Sequence, residues 1–359
     1  MGQSLSSPFG KIAYLKMKIN IAFDLQDQPT GGGNQFLKAL RAYLRSVGAY
    51  AERMEEADVI LVNGHQWGAH LFRLFLAKRA RSDLVIVHRV DGPMAVVRGD
   101  EVNRIVDKAI VSFNSRFADG TVFQSRWSRD LCITHGMDAH KHQAIVLNAP
   151  DSSLFYPPVH QMVGDGKIRI VSTSWSSNWR KGFDVFQYLD KHLDFSRFTF
   201  TFIGNSPVKF ENIRYIEPLP SAALAEELRN HDIFLQASHL EACSNSLIEA
   251  MNCGLVPVAR NNSSHPEIVN EAGVLYEGVE DVIAALDTAA KGRATYLAKI
   301  TQTITMECAG LAYLNFARKM SRASLTRPSL YEFLVTWATW KLACRPTMFH
   351  WLQTLVCKP

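Results

Sequence analysis

Six cysteines lie singly along the chain, at 132, 243, 253, 308, 344 and 357, and no C-x-x-C pair occurs among them. Zinc-finger and dithiol redox chemistry are thereby disfavoured. Isolated thiols in a chain of this length point to a reducing compartment, so a cytoplasmic location is expected. The N-terminus lacks the continuous apolar stretch of a cleavable signal, and no run is long and charge-free enough to span a bilayer. Walker and G-x-S-x-G loops are missing, and no carboxylate pair has the context of a glycoside hydrolase. Zinc-finger, homeodomain and RNP-like patterns are missing too. The net charge of +5 is too mild to argue for nucleic acid. It suits an anionic small molecule or a membrane surface.

What is present is ordinary globular composition, 47% hydrophobic and 20% charged, in 359 residues, enough for two domains. From residue 17 short apolar runs alternate with helical periodicity. Strands are predicted at 18–23, 58–63, 84–88, 121–124 and 144–147, and again at 168–173, 198–203, 232–236 and 255–259. Helices are predicted after the glycine loop, over 36–47, and at 221–230 and 246–253. Pro150, Pro157, Pro158 and Gly164-Asp165-Gly166 read as a linker. This alternation implies an α/β protein of two doubly wound parallel sheets facing a cleft, with ligands at the carboxyl ends of the strands. The expected organisation is an N-terminal extension (1–16), a first domain (17–157), a second domain (158–290) and a helical tail (291–359).

The tail carries Phe333, Trp337, Trp340, Phe349 and Trp351 with Lys341 and Arg345 interspersed, and Pro328 is expected in the first turn of a helix through Leu342. It is expected to pack back on the body, with an interfacial membrane helix as the alternative. Gly2 and Ser6 fit the myristoylation pattern, a second route to peripheral membrane contact.

Three loops carry candidate chemistry. Gly31-Gly32-Gly33 joins the first strand to the first helix, where glycines let backbone approach a ligand; Phe36 in place of a third spaced glycine argues against a dinucleotide. Asn178-Trp179-Arg180-Lys181-Gly182 puts cations at a strand's carboxyl end just before a helix. His88 ends a strand, where the same rule would have it face the cleft, although a lone histidine in such a place is more often structural. In "LEACSNSLIEAMNCGLVPVARNNSSHPEIV", Glu241 and Glu249 flank a helix start. Ser246 and Glu249 fit a capping box, so capping alone is one explanation of Glu249. An anion site at the helix amides is the other.

Together these pieces resemble the retaining glycosyltransferases of family 4, which have the two-domain GT-B fold. The resemblance covers residues 17 to about 290 and rests on Lys181-Gly182, "FTFTFIGNSP", "HDIFLQAS", the E-x7-E pair Glu241 and Glu249, "CGLVPVA" and "HPEIV". In the first half it rests on the glycine loop, His88 and "VLNAPDSSLFYP". It implies that Glu249 binds the ribose of a nucleoside-diphosphate sugar and that Glu241 lies near the sugar. The amides around Ser244, Asn245 and Ser246 would receive the diphosphate, and Lys181 would neutralise it as it leaves. His88 would contact the sugar or handle a proton. Gly32 and Gly33 would shape the cleft near the phosphates, with Asn178 and Arg180 as further donor-binding candidates. The acceptor would be a hydroxyl of a glycan, polysaccharide or lipid-linked molecule, and neither metal nor cofactor is expected. One departure stands out: Ser176 occupies the place of the family's usual arginine, five residues before the lysine. Ser263-Ser264 stands where many members have glycines. A non-catalytic nucleotide-sugar-binding scaffold and a nucleotide-sugar epimerase are the alternative functions.

Overall fold

The structure is a computed structural model and describes residues 17–26, 32–99, 103–158, 166–300, 304–323 and 325–356, with side chains of the last helix described through Cys344. Gly2, Gly31 and the side chains of Phe349 and Trp351 lie outside the described residues.

The first domain holds a parallel sheet in the order β1 (Ile19–Ala22), β2 (Val59–Asn63), β3 (Val85–Val90), β4 (Gly120–Phe123) and β5 (Gln143–Ile145). Strands β1 to β4 are buried on both faces, which is why they read as unbroken apolar runs. Tyr50 forms a single parallel bridge to Ile19, on the edge of β1 away from β2. The crossovers are α1 (Gly32–Ser46), α2 (Leu71–Ala80), α3 (Met94–Arg98), α4 (Arg104–Phe117) and α5 (Arg126–Thr134).

The second sheet has the order β11-β10-β9-β6-β7-β8, formed by β6 (Ile168–Ser174), β7 (Phe198–Gly204), β8 (Arg214–Ile216), β9 (Ile233–Gln236), β10 (Val256–Arg260) and β11 (Val274–Tyr276). The order reverses between β6 and β9, the place where a doubly wound sheet opens a crevice. Helices α6 (Phe183–His192), α7 (Ser221–Arg229), α8 (Asn245–Asn252), α9 (His265–Val269), α10 (Val282–Lys291) and α11 (Arg293–Lys299) surround it. The sequence reading missed β8 and β11. Each has three residues at a sheet edge, too short for periodicity to register.

The chain then returns to the first domain. Helix α12 (Met306–Met320) buries Met306, Tyr313 and Phe316 in the core that α1 shares with the first sheet. Helix α13 (Leu330–Val356) packs along α4. Pro328 does not begin α13. Ser329 does, in a reciprocal cap: the Glu332 amide donates to Ser329 Oγ at 3.2 Å and the Ser329 amide to Glu332 Oε2 at 2.7 Å. The helix also runs past Leu342 to Val356. Among the described residues no helix is long and apolar enough to cross a membrane.

Candidate donor site between the domains

A cavity of about 710 Å³ opens between the carboxyl ends of the two sheets. Its lining includes Gly32, Gly33, Asn178, Arg180, Lys181, Glu241, Ser244, Asn245, Ser246 and Glu249, which brings together every predicted site residue except His88.

The floor is the start of α8. Ser244 has extended backbone and its Oγ accepts from the Leu247 amide at 3.4 Å, so the helix is capped two residues before the expected Ser246. The capping box of Ser246 and Glu249 is not formed, because Glu249 falls at the fifth helical position rather than the third. Ser246 Oγ instead lies 3.2 Å from Ser244 Oγ and 3.4 Å from Gln236 Oε1. Glu249 projects into the cavity, and burial pushes its carboxyl up to about 7. The first amides of α8 have no carbonyl one turn back, and they carry the positive end of the helix dipole.

Lys181 comes from a short turn, Trp179–Lys181, capped by Asn178, whose Oδ1 accepts from the Arg180 amide at 2.9 Å. Gly182 then takes φ +94°. A Cβ there would lie 2.3 Å from Ala237 Cβ and 2.5 Å from its carbonyl oxygen, so only glycine lets the turn cross the end of β9. Lys181 Nζ donates to Glu241 Oε1 at 2.5 Å. Burial raises the Glu241 carboxyl, but the charge and hydrogen bond of Lys181 outweigh it and leave the group below the usual carboxylate range.

The loop carrying Glu241 is bent at Leu240, with φ +53°, and the neighbouring loop after β10 at Ser263, with φ +50°. These are left-handed conformations that cost a non-glycine residue energy. The Glu241 amide donates to Ser263 Oγ at 3.0 Å, so the serine takes up a glycine-like conformation and adds a hydroxyl that ties the two loops.

Ser176 also lines the cavity. Its Oγ accepts from the Asn178 amide at 3.2 Å, so a neutral hydroxyl occupied in shaping the loop stands there in place of a cation. Arg180 reaches across the cleft. Its Nη1 donates to the Val96 carbonyl at 3.1 Å, and a Cβ on Gly99 would come within 2.3 Å of its Cζ. On the opposite wall a Cβ on Gly32 would lie 2.0 Å from Asn245 Nδ2, whereas one on Gly33 would meet nothing closer than 3.9 Å. Of these two, only Gly32 is in close contact, and a side chain there would have to displace the Asn245 amide.

His88 does not face the cleft. It is fully buried within β3, its Nε2 is 2.8 Å from the Gly64 carbonyl and its Nδ1 is 3.2 Å from Asn114 Nδ2. Its ring packs edge-on against Phe113. Burial lowers its pKa to about 4 and holds it neutral. The residue does lie toward the end of its strand, but its side chain points into the body of the domain.

The sequence reading missed the polar bridge next to it. Buried Arg89 donates to Asn63 Oδ1, to Asp91 Oδ1 at 3.0 Å and to Asn148 Oδ1 at 2.7 Å. Asn148 Nδ2 donates to Gln124 Oε1 at 2.8 Å and to Asn245 Oδ1 at 2.7 Å, across the cleft to the first residue of α8. The residues are visible in "HRVDGP" and "VLNAP", but their meeting depends on strand register. Among the described residues no three of histidine, cysteine, aspartate and glutamate gather as a metal-holding group.

Residues 169–291 match the model of the family described as Glycosyl transferases group 1. No curated protein matches the chain significantly in sequence. Solved structures match at the level of fold. Sucrose-phosphate synthase from Thermosynechococcus elongatus aligns with a TM-score of 0.65 at 14% identity, over 85% of this chain and 99% of that one. Anabaena HepE in complex with UDP-glucose aligns with 0.64 at 14% identity, over 86% and 100%. The catalytic domain of starch synthase IV from Arabidopsis thaliana, bound to ADP and acarbose, aligns with 0.57 at 13% identity, over 82% and 79%. Two Rossmann-like domains facing a cleft, with a helical C-terminal region, have the GT-B architecture of these glycosyltransferases.

Proposed function

We propose that the chain is a retaining glycosyltransferase that moves a sugar from a nucleoside-diphosphate sugar to a hydroxyl of a glycan, polysaccharide or lipid-linked acceptor. The observation that carries this reading is the convergence of Lys181, Glu241, Glu249 and the start of α8 on one cavity between the domains. The diphosphate lies on the first amides of α8, and Glu249 accepts hydrogen bonds from the ribose hydroxyls. Lys181, now shared with Glu241, turns to the phosphate as the glycosidic bond to it breaks. Stabilising charge as it develops supplies most of the rate acceleration in many enzymes. The acceptor oxygen attacks the face that the phosphate leaves, its proton passes to the departing phosphate oxygen, and the anomeric configuration is kept. Glu241 holds sugar hydroxyls. His88 takes no part, being neutral and enclosed. Asn178 and Arg180 act by shaping the loop and bridging the domains. Base and sugar are left open, since the similar structures hold UDP-glucose in one case and ADP in another.

Ser176 favours a second reading, a scaffold that binds nucleotide-sugar without turnover, because one expected cation is missing from the diphosphate wall. An acceptor screen with UDP-glucose and ADP-glucose, with products followed by proton NMR, separates the two. Transfer with retained anomeric configuration supports the transferase. Inverted product contradicts the retaining mechanism, and tight binding with no product supports the scaffold.

A further inference from the structure

We propose that the outer face of α13, together with the adjoining edge of α2, docks on the surface of an anionic lipid membrane. The inner face of α13 explains its own position. Phe333, Thr336, Trp340 and Ala343, spaced three or four residues apart, turn toward the first domain, where Phe333 stacks on Phe75 at 4.7 Å. A Cβ on Gly68 would overlap the Trp340 indole at 1.8 Å, so the indole lies directly on the Gly68 backbone.

Among the described residues nothing covers the opposite face, yet it is apolar. Leu330, Tyr331, Leu334, Trp337 and Leu342 are 45–73% exposed. Phe72 on α2, 60% exposed, extends the face, its ring 6.0 Å from that of Phe333. Large apolar side chains gathered in one place mark an interaction surface, whereas single ones do not.

The charge around this face selects the occupant. Helix α2 contains no acidic residue, and the only acid in α13 is Glu332, which is engaged in capping Ser329. Arg79 and Lys341 are exposed at the rim, and Arg73 beside them is paired with Glu55 at 2.9 Å. Lys341 Nζ lies over the rings of both Trp337 and Trp340, at 5.7 and 5.2 Å. An indole paired with an ammonium group suits the boundary between lipid headgroups and acyl chains. A basic rim around an apolar stripe binds anionic lipid by burying the stripe and pairing the rim with headgroup charge. This inference is independent of the proposed transferase activity. It places the membrane on the side of the first domain.

The test is co-sedimentation of the full chain with vesicles of phosphatidylcholine alone and of phosphatidylcholine with phosphatidylglycerol. The chain is expected to sediment with the anionic vesicles and to stay in solution with the neutral ones. Each rim cation removed, as in Arg79→Gln or Lys341→Gln, should lower binding about fivefold. The double variant Leu334→Ser, Trp337→Ser should abolish binding while keeping the thermal melt of the unaltered chain, since both side chains are exposed. Failure to sediment with anionic vesicles would overturn the proposal. So would equal binding by the variants, or a dimer in solution that Trp337→Ser dissociates, which would assign the face to a second copy.

Discussion

At the scale of single residues, the cleft holds two carboxylates in opposite electrostatic states. Glu241 has a cation at 2.5 Å and is held ionised. Glu249 has burial without a counter-charge and is pushed up to about 7. A carboxyl raised on folding contributes stability that is present at pH values below its unfolded pKa and is lost as pH rises through 7. Glu249→Gln should therefore gain thermal stability over the unaltered chain as pH rises from 5 to 8, with the two close together at pH 5. Nucleotide binding should show the opposite trend. Ribose hydroxyls that donate to the carboxylate favour its ionised form, so affinity for a nucleoside diphosphate should rise between pH 6 and 8 more steeply in the unaltered chain than in Glu249→Gln. Calorimetry on both proteins at matched pH cancels the titration of the phosphate itself. Parallel pH profiles would remove Glu249 from the donor site. At this scale the sequence anticipates that Lys181, Glu241 and Glu249 line one cavity, because helix-start and strand-end positions constrain where a side chain can go. It misleads at His88, because alternation along β3 decides whether a strand-end residue faces the cleft or the core. Register against β2 and β4 cannot be read from one strand.

At the scale of elements, the tail is held by more than apolar contact. Asp119, just before β4, is enclosed, with one oxygen accepting from Lys78 Nζ at 2.6 Å and the Ile86 amide at 2.7 Å. Its other oxygen accepts from the Thr326 amide at 2.6 Å, pinning the segment between α12 and α13. Lys78 is as buried as its partner, so Asp119→Ala would leave an uncompensated charge in the core, at a cost of about 3–5 kcal/mol. Urea melts should show that loss; a change under about 1 kcal/mol would mean that the tail does not depend on this pair. The longer strands and the helices α1, α7 and α8 are legible in the sequence because buried parallel strands and amphipathic helices have distinct periods. The edge strands β8 and β11 are not legible, nor is the start of α8. There Ser244 and Ser246 both satisfy a cap pattern, and the loop geometry set by Leu240 and Ser263 chooses the first.

At the scale of the whole molecule, the two domains meet through polar contacts across the cleft and through an apolar seam at its side, where Leu147, Leu154 and Phe155 pack on the core of the second domain. Asn148 joins Asn245, Arg180 joins Val96, and Ser125 Oγ donates to the Ala242 carbonyl at 2.6 Å. Interfaces of this kind allow relative domain motion. The cavity between them is where a charged ligand would bind and bridge both halves. The two sheets can be separated by sequence alone, since the pattern restarts after Pro157-Pro158. That α12 returns to the first domain cannot, because its buried face fits either body until Tyr313 and Phe316 are seen beside α1.

The central claim is that the start of α8, Lys181 and Glu249 form one nucleotide-sugar site. Its most direct test is a thermal-shift screen of the full chain, Lys181→Ala and Glu249→Ala against nucleoside diphosphates and their common sugars. A ligand at about a hundred times its Kd stabilises by roughly 2.7 kcal/mol. The account predicts a raised Tm for one nucleotide family in the unaltered chain and a reduced or abolished shift in both variants. A folded protein that no nucleotide stabilises, or a shift that both variants keep, would contradict it.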